Sequence, residues 1–255
     1  MRLHAELLPV HALAPGDRAA MFDLMRSHFA NVRRERFDAD LDDKRWAILV
    51  FDAARRLCGF STQTLFEAAV DDRCVLVLFS GDTVVERRHW GDPALTAAWG
   101  SFALSLVDEH PDQELYWLLI SKGFRTYRYL PLFFREFHPR YDEPMRTPST
   151  PRTHDLRRVL DCVAARRFGA AYAAAAGLIR GDAAKDRLRP ELADIRPGRL
   201  ADPHVRFFVE RNPHYAEGDE LCCLAPLSRE NFTDAAMRVI ALREPAACLD
   251  GGFRP

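Results

Sequence analysis

Residues 74–93, CVLVLFSGDTVVERRHWGDP, decide the expected fold of this chain of 255 residues. The apolar run at the start, resumed by a Thr-Val-Val segment, predicts one long buried strand over residues 74–85. Gly81 interrupts the strand pattern and predicts a bulge or a bend at that point. Asp92 offers an N-cap and Pro93 a residue for the first turn, so a helix is expected to follow at once.

Three further segments predict strands of the same sheet. Residues 46–51 form a short apolar run, and residues 57–66 form a second strand-like segment beyond a turn, so the two are expected to pair as a hairpin. Residues 114–120 predict a fourth strand. A helix over residues 93–108 is expected to pack on this sheet, and an apolar stripe at helical spacing over residues 16–36 predicts another helix before it.

This order of elements resembles that of the GNAT superfamily of N-acyltransferases. Residues 59–63, Gly-Phe-Ser-Thr-Gln, read like the family's third strand, and Gly81 stands where its fourth strand carries a bulge. Residues 88–93, Arg-His-Trp-Gly-Asp-Pro, align with the family's R/Q-x-x-G-x-G/A pyrophosphate loop. The resemblance covers roughly residues 15–140. It implies an α/β (α+β) fold, in which a mixed, mostly antiparallel sheet is flanked by helices.

The resemblance also implies an activity, the transfer of an acyl group from a thioester to an amine or amino-acid-like acceptor. The donor substrate would be coenzyme A or an acyl-phosphopantetheine on an acyl-carrier protein. Arg88 and Gly91 would then bind the donor's phosphates, because a helix N-terminus presents unpaired N–H groups to an anion. Pro93 departs from the motif and lacks an N–H. The alternative is that Arg88 and Gly91 only form a turn into a helix capped by Asp92.

Four residues are candidates for proton transfer under this resemblance. Asp82 or Glu86 would act as the base toward the amine, because a carboxylate beside an apolar strand can have a raised pKa. Tyr127 or Tyr129 would protonate the leaving thiolate. The alternatives are that the two carboxylates are simply solvated and that the two aromatic rings only fill a core.

A basic segment with interleaved aromatic residues, SKGFRTYRY, occupies residues 121–129. Its side chains Lys122, Arg125 and Arg128 are candidates to bind the donor's phosphates or the acidic face of a carrier protein. The alternative is a solvated approach to a helix.

The second half of the chain is expected to complete one GNAT-like domain over residues 1–255. Residues 142–201 are predicted to form a helical insertion or lid, with a strong helix over 155–178 after a Pro-rich connection. Residues 202–255 are predicted to form a hairpin that returns to the sheet, over 205–224, and a C-terminal helix.

The loop of that expected hairpin contributes two more catalytic candidates, His214 and Tyr215. Asp219 could orient His214 as a base, although an ordinary Asx-turn explains Asp219 equally well. We expect this loop to approach the strand of Asp82, so that the two halves of the chain share one cleft.

The composition narrows the classes of partner. With a formal net charge of −1, 48% hydrophobic and 29% charged residues, the chain has no overall field that favours nucleic acid. No stretch reaches the roughly 18 apolar residues of a membrane span, and no signal-peptide run is present. The six cysteines are scattered without ligand spacing. A cytoplasmic location, no metal, no membrane span and no nucleic-acid partner are therefore expected.

The function predicted from these observations is that of an acyltransferase with a small-molecule acceptor. An acyl-carrier protein is the alternative to coenzyme A as donor. A catalytically inactive GNAT-like module that binds a small ligand or a protein partner is the main alternative function, and a structural protein without a ligand is a third.

Overall fold

The computed structural model describes residues 3–142, 151–182 and 184–242. Within these ranges eight strands form one mixed sheet in the order β1-β3-β4-β5-β6-β10-β8-β7, and two short strands pair separately. The strands are β1 His4–Pro9, β2 Phe29–Ala30, β3 Trp46–Phe51, β4 Leu57–Val70, β5 Arg73–Val85, β6 Leu115–Ser121, β7 Tyr172–Ala173, β8 Leu178–Ile179, β9 Arg187–Leu188 and β10 Glu220–Pro226. Neighbouring strands run antiparallel except β5 and β6, which run parallel. The expected mixed, mostly antiparallel sheet is confirmed.

Helices lie on both faces of this sheet. They are α1 Pro15–His28, α2 Arg34–Asp42, α3 Ala94–Glu109, α4 Phe124–Tyr127, α5 Tyr129–Phe133, α6 Pro151–Phe168, α7 Pro190–Ala193, α8 Pro203–Arg211 and α9 Asp234–Ile240. The helix expected after Pro93 is therefore present as α3. Among the helices of the described ranges, none combines the length and the hydropathy that a bilayer crossing requires.

Side chains of the central strands alternate between two cores, as the pleat of a sheet requires. On β5, Leu76 and Leu78 belong to the core that contains α3, whereas Val75, Val77 and Phe79 belong to the core that contains α6. A third cluster packs α1 and α2 against β3 and β4. In the part of the chain that the structure describes, the sheet is thus covered on both faces.

β5 carries a β-bulge at the expected position. Thr62 of β4 lies opposite both Gly81 and Asp82 of β5, where the register of the two strands shifts. A Cβ atom on Gly81 would lie 2.7 Å from both the Cε of Lys44 and the Oγ1 of Thr62. A larger residue at this position would therefore force the side chains of Lys44 and Thr62 to shift.

At the bulge, β5 separates from β6. Their parallel pairing begins at Leu76 and ends at the pair Ser80–Leu119. β5 then continues to Val85 with no further ladder pair to β6 among the described residues. One edge of β5 consequently faces a gap between the two strands.

The expected single helix over residues 16–36 is wrong in its second half. α1 ends at His28, and β2 then pairs with β9 before α2 begins at Arg34. Between them, Asn31 has a φ of 63°, a left-handed conformation that a continuous right-handed helix cannot contain. The apolar stripe predicts which side chains turn inward but does not reveal the break.

The expected hairpin over residues 205–224 is only half correct, because its first arm is the helix α8. The Asp202 carboxylate accepts the N–H of His204 at 3.0 Å and Pro203 occupies the first turn, so the helix start is capped. Val205 and Phe208, three residues apart, are both fully buried. Helical burial of this pair outweighs the strand propensity of the Val- and Phe-rich segment. The second arm, β10, joins the sheet beside β6.

The segment 142–201 is helical only in part. α6 ends at Phe168, before Gly169 with a φ of 54°, and β7 and β8 then extend the sheet beyond β10. Further along the segment, residues Arg187–Leu188 form β9. The expected Pro-rich connection at 143–150 and the tail 243–255 lie outside the described residues. The role of the segment as a lid and the single domain remain predictions.

Candidate functional site

Two cavities meet where β5 and β6 diverge. The first, called here the charged cavity, has a volume of about 560 Å³ and lies between the bulge of β5, α2 and the chain before β9. The second, called the apolar cavity, has a volume of about 440 Å³ and lies between the end of β5, the start of α3 and α5. Phe29, Thr83, Lys122 and Thr126 line both. Ligands in the two cavities would therefore meet at the gap between the strands.

The charged cavity combines acidic and basic groups in equal number. Among the described residues that line it, six are basic and six are acidic: Arg33, Arg36, Lys122, Arg167, Arg180, Lys185, Asp40, Asp43, Asp82, Asp182, Asp186 and Glu220. A cavity with both signs of charge is suited to a ligand that itself carries both.

Asp82 lies on the bulge of β5, half-buried at the wall of the charged cavity. Burial raises the pKa of this carboxyl to about 7, repulsion from Asp40 and Asp186 adds to the rise, and attraction to Lys122 and Lys44 opposes it. A carboxyl that titrates near neutral pH beside a ligand cavity is suited to general-base catalysis. The structure therefore places this candidate from the sequence at a cavity and gives it an appropriate pKa.

Lys122 lies at the end of β6, on the other side of the divergence from Asp82. Its ammonium donates to Asp186 and lies 3.6 Å from a carboxylate oxygen of Glu220, whose other oxygen pairs with Lys185. Burial lowers the pKa of Lys122, but the attraction of Glu220, Asp186 and Asp82 outweighs it, so the net shift is upward. Lys122 therefore remains charged at neutral pH and does not serve as a base.

The apolar cavity begins at the loop that aligns with the pyrophosphate motif. Gly91 lines the cavity and has a φ of 96°, which favours glycine. The side chain of Asp92 accepts the N–H of Ala94 at 2.9 Å. One of the N–H groups at the start of α3 is therefore taken by a carboxylate, as the alternative of an Asp-capped helix predicts.

Arg88 and Glu86, two of the site candidates, line neither of the two cavities formed by the described residues. The guanidinium of Arg88 lies 2.7 Å from Glu86 and donates to His89 at 3.1 Å. Arg56 contacts the other side of the Glu86 carboxylate at 3.3 Å. The two residues thus form a surface ion cluster beyond the end of β5.

Basic groups do line the apolar cavity, from the segment that follows β6. Lys122, Arg125 and Arg128 all contribute to its wall. Arg125 stacks on Trp90, with 4.3 Å from its Cζ to the ring centroid, and Arg87 lies 5.8 Å from the same ring. Burial lowers the pKa of Arg125, and the nearby positive charges of Arg199 and Arg87 lower it further. Positive charge is thus concentrated at the mouth of the apolar cavity.

Sequence reasoning did not include Trp90 among the site residues, although Trp90 lines this wall, and it did not include Arg87, which lies 5.8 Å from the Trp90 ring. The indole N–H of Trp90 donates to the carbonyl of Val85 at 2.9 Å, which fixes the ring beside the free edge of β5. A tryptophan within a polar, glycine-containing loop was the available signal, because such a ring needs a partner surface.

The two candidate tyrosines have different surroundings. Tyr127 is fully buried, its hydroxyl donates to the carbonyl of Pro139 at 3.0 Å, and its ring packs on Phe207 and Phe208. Tyr129 instead lines the apolar cavity, and its hydroxyl makes no hydrogen bond to any described residue. Burial raises the pKa of Tyr129, so the phenol stays protonated at neutral pH. Tyr129 alone can present a proton to a ligand.

A small pocket of about 30 Å³ opens beside Tyr129, between the diverging strands and α3. Ser80, Thr83 and Trp99 are among its walls. The indole N–H of Trp99 is buried and has no hydrogen-bond partner among the described residues. The pocket holds no more than one or two small groups, since one water needs about 10–15 Å³ of such space.

His214 and Tyr215 lie apart from this site. His214 is exposed and pairs with Glu217, and the ring of Tyr215 packs on Phe208. Among the described residues that line the two cavities, neither is present, and Asp219 is not present either. The first arm of the expected hairpin is the helix α8, and the ring of Tyr215 packs on that helix at Phe208. The approach of this loop to Asp82 stays a prediction.

Cys58, Glu86 and His89 bring one potential metal-ligand atom each within 4.8 Å of the others. The same Arg56 that contacts Glu86 also lies 3.7 Å from the sulfur of Cys58. Burial raises the pKa of the Cys58 thiol, which disfavours the thiolate that a metal requires. This cluster is better described as part of the surface ion cluster.

The mixed, mostly antiparallel sheet flanked by helices and the bulge at Gly81 match the arrangement that the sequence resemblance implies. The fold is GNAT-like. No protein-family model matches the chain, and no curated protein matches it at the sequence level.

Solved structures of acyltransferases superpose on part of the chain. A conserved protein of unknown function from Enterococcus faecalis, described as a probable N-acyltransferase, has a TM-score of 0.40 and 14% identity over 54% of this chain and 33% of that one. The GNAT family N-acetyltransferase YhbS from Escherichia coli, in complex with CoA, has a TM-score of 0.39 and 15% identity over 59% of this chain and 78% of that one. A GCN5-related N-acetyltransferase from Kribbella flavida has a TM-score of 0.39 and 11% identity over 53% of this chain and 34% of that one. The chain thus spans about a third of the length of the first and third proteins. Such partial superpositions carry no argument about activity or substrate.

Proposed function

We propose that this protein transfers an acyl group from a thioester to an amine. One observation carries the proposal: two cavities meet at the gap between β5 and β6, with a carboxyl of raised pKa on one side and an unpartnered phenol on the other. Acyl transfer to an amine needs a base on the acceptor's side and an acid on the thiol's side of the reacting carbonyl.

The acceptor amine is proposed to enter the charged cavity. Asp82, ionised above about pH 7, takes a proton from the ammonium or from the attacking nitrogen. Lys122 keeps its charge through Asp186 and Glu220 and fixes the polar wall of the cavity. Catalysis by such a site consists of positioning and one proton transfer, without a covalent intermediate on the protein.

The donor is proposed to occupy the apolar cavity, with its pantetheine arm along the free edge of β5. Its phosphates would lie near Arg125 and Arg87, where positive charge is concentrated, rather than on Arg88. Gly91 lets the donor approach the backbone closely, whereas the carboxylate of Asp92 disfavours a phosphate directly on the start of α3. Both coenzyme A and a carrier-bound phosphopantetheine fit this description.

The reaction is proposed to proceed as follows at the gap. The amine nitrogen attacks the thioester carbonyl, the carbon–nitrogen bond forms, and Asp82 holds the proton that the nitrogen loses. The carbon–sulfur bond then breaks, and the thiolate takes the proton of the Tyr129 hydroxyl. The pocket beside Tyr129 would hold the acyl group, and its size favours a short chain such as acetyl.

Equilibrium titration tests the donor side of this proposal. We expect acetyl-coenzyme A and coenzyme A to bind the folded protein, with the phosphopantetheine form of an acyl-carrier protein as the alternative donor. Binding by one donor class but no acyl product with any amine would favour the catalytically inactive module. No binding by any of these donors contradicts the proposal.

A further inference from the structure

Two arginines of the charged cavity have no hydrogen-bond or ion-pair partner among the residues that the structure describes. Arg33 and Arg36 line the cavity from the start of α2 and are exposed. Neither makes a hydrogen bond, an ion pair or a ring contact with any residue that the structure describes. Arg36 acts at a distance on Asp186. Burial tends to raise the pKa of this carboxyl, but Lys122, Lys185 and, most weakly, Arg36 together lower it. Two positive charges therefore line the cavity, and no carboxylate of residues 3–142, 151–182 or 184–242 pairs with either.

The other basic groups of the cavity are all engaged. Arg167 pairs with Asp43, Arg180 donates to Asp219, and Lys122 and Lys185 pair with the carboxylates before β9 and at the start of β10. Ion pairs within the protein thus account for the other positive groups and leave Arg33 and Arg36 available to a ligand.

Arg34, between the two, has a different environment. Its guanidinium donates to Asp38 at 2.6 Å and stacks on Phe22 at 5.1 Å. It does not line the cavity that Arg33 and Arg36 share. Within this one turn, the arginine outside the cavity is paired, and the two that line the cavity have no partner among the described residues. Exposure to solvent alone therefore does not explain why Arg33 and Arg36 are unpaired.

We infer that the charged cavity binds an acceptor that carries an anionic group as well as its amine. Arg33 and Arg36 bind the carboxylate or phosphate, because a guanidinium presents paired N–H donors that match such groups. Asp82, on the sheet side of the same cavity, then receives the amine. The volume of about 560 Å³ admits a ligand of the size of an amino acid or a phosphorylated amine. The placement of the amine at Asp82 rests on the proposed function.

Calorimetric titration with matched probe pairs tests this inference, with and without saturating coenzyme A. β-Alanine is compared with 3-aminopropanol, and phosphoethanolamine with ethanolamine, so that each pair differs in the anionic group. We expect the anionic member of at least one pair to bind at least about tenfold more tightly than its neutral partner. The pair that shows the larger ratio tells whether the group is a carboxylate or a phosphate.

Two variants distinguish binding of the anionic group by Arg33 and Arg36 from a general effect of positive charge on probe affinity. The double variant R33Q/R36Q should bind both members of a pair equally, whereas R34Q, which removes a charge from the same turn, should keep the preference. Equal binding of anionic and neutral probes by the wild type, no binding by any probe, or an unchanged preference in the double variant overturns the inference.

The inference and the proposed function fail in different ways. Acyl transfer to neutral amines, with an unchanged KM in R33Q/R36Q, would overturn the anionic acceptor while leaving acyl transfer intact. Arginine-dependent binding of the anionic probes, without acyl transfer from any donor, would retain the anion site and reject the proposed function.

Discussion

The ammonium of Lys122 lies 3.6 Å from the Oε1 of Glu220 and joins the end of β6 to the start of β10 beside the charged cavity. Because Asp186 binds the same ammonium, the charge of Lys122 is shared between two other carboxylates. Burial is the largest cause of the high pKa of Asp82. Repulsion from Asp40 and Asp186 adds to the rise, and the attraction of Lys122 opposes it. The ion pairs around Lys122 thus help to set the pKa of the proposed base.

The raised pKa of Asp82 predicts how the free energy of unfolding changes with pH. It rises from 3.8 to about 7 on folding, so the folded state binds the proton more tightly than the unfolded chain. Ionisation of Asp82 therefore opposes folding, and its contribution to the free energy of unfolding falls as pH rises from about 4 to 7. We expect Asp82→Asn to remove this decline. Urea unfolding of both proteins at pH 5 and pH 8 measures it, and an equal change with pH in the two proteins would reject the raised pKa.

Several parts of the fold follow from local sequence patterns. The alternating apolar residues of β5, the glycine at its bulge and the Asp-Pro start of α3 each carry their own signal. Asp82 is a candidate from the sequence because its carboxylate lies beside an apolar strand. Tyr127 and Tyr129 could not be separated by sequence, because the hydrogen bond to Pro139 depends on a chain reversal that no local pattern reveals.

Other parts depend on contacts between distant segments. α8 has a strand-like composition, and its cap at Asp202 together with the burial of Phe208 decides for helix. The acidic and basic groups around Lys122 come from β6, the chain before β9 and the start of β10, which the sequence separates widely. The sequence does not reveal that Arg36 is unpaired, because the ion pairs of the other basic groups join distant segments of the chain.

The two tyrosines should respond differently to loss of the hydroxyl. Tyr127→Phe leaves the buried Pro139 carbonyl without its donor, so we expect a loss of about 1–3 kcal/mol in the free energy of unfolding and little change in turnover. Tyr129→Phe should leave stability almost unchanged and lower turnover, because its hydroxyl bonds to no described residue. Urea unfolding and steady-state kinetics on both variants check this, and the reverse assignment would remove Tyr129 from the mechanism.

Gly81 should tolerate no side chain. In Gly81→Ala the new Cβ atom meets Lys44 and Thr62 at 2.7 Å, and we expect a loss of about 1–3 kcal/mol from overpacking. Gly16→Ala is the matched control, since a Cβ atom added there would meet no other atom within 4 Å, and it should be neutral or slightly stabilising. Equal stability of the two variants in urea would show that the bulge does not need glycine.

Donor affinity should depend on Arg125 and not on Arg88. We expect Arg125→Gln to weaken donor binding by about 1.5–3 kcal/mol, the scale of a hydrogen bond to a charged group. Arg88→Gln should bind the donor as the wild type does, because Arg88 is engaged with Glu86 outside the two cavities that the described residues form. Titration calorimetry with acetyl-coenzyme A measures both, and a larger loss in Arg88→Gln would restore the pyrophosphate loop as the phosphate site.

The rate of acyl transfer as a function of pH tests the central claim most directly. Acceptor-dependent release of thiol from the donor is followed between pH 5.5 and 9 for the wild type, Asp82→Asn and the control Glu86→Gln. If Asp82 is the base, the wild-type rate rises through about pH 7, and Glu86→Gln keeps this profile. Asp82→Asn should then lose at least about a hundredfold in turnover, the lower end of what general-base catalysis contributes. A wild-type profile that Asp82→Asn reproduces in both rate and pH dependence would contradict the account.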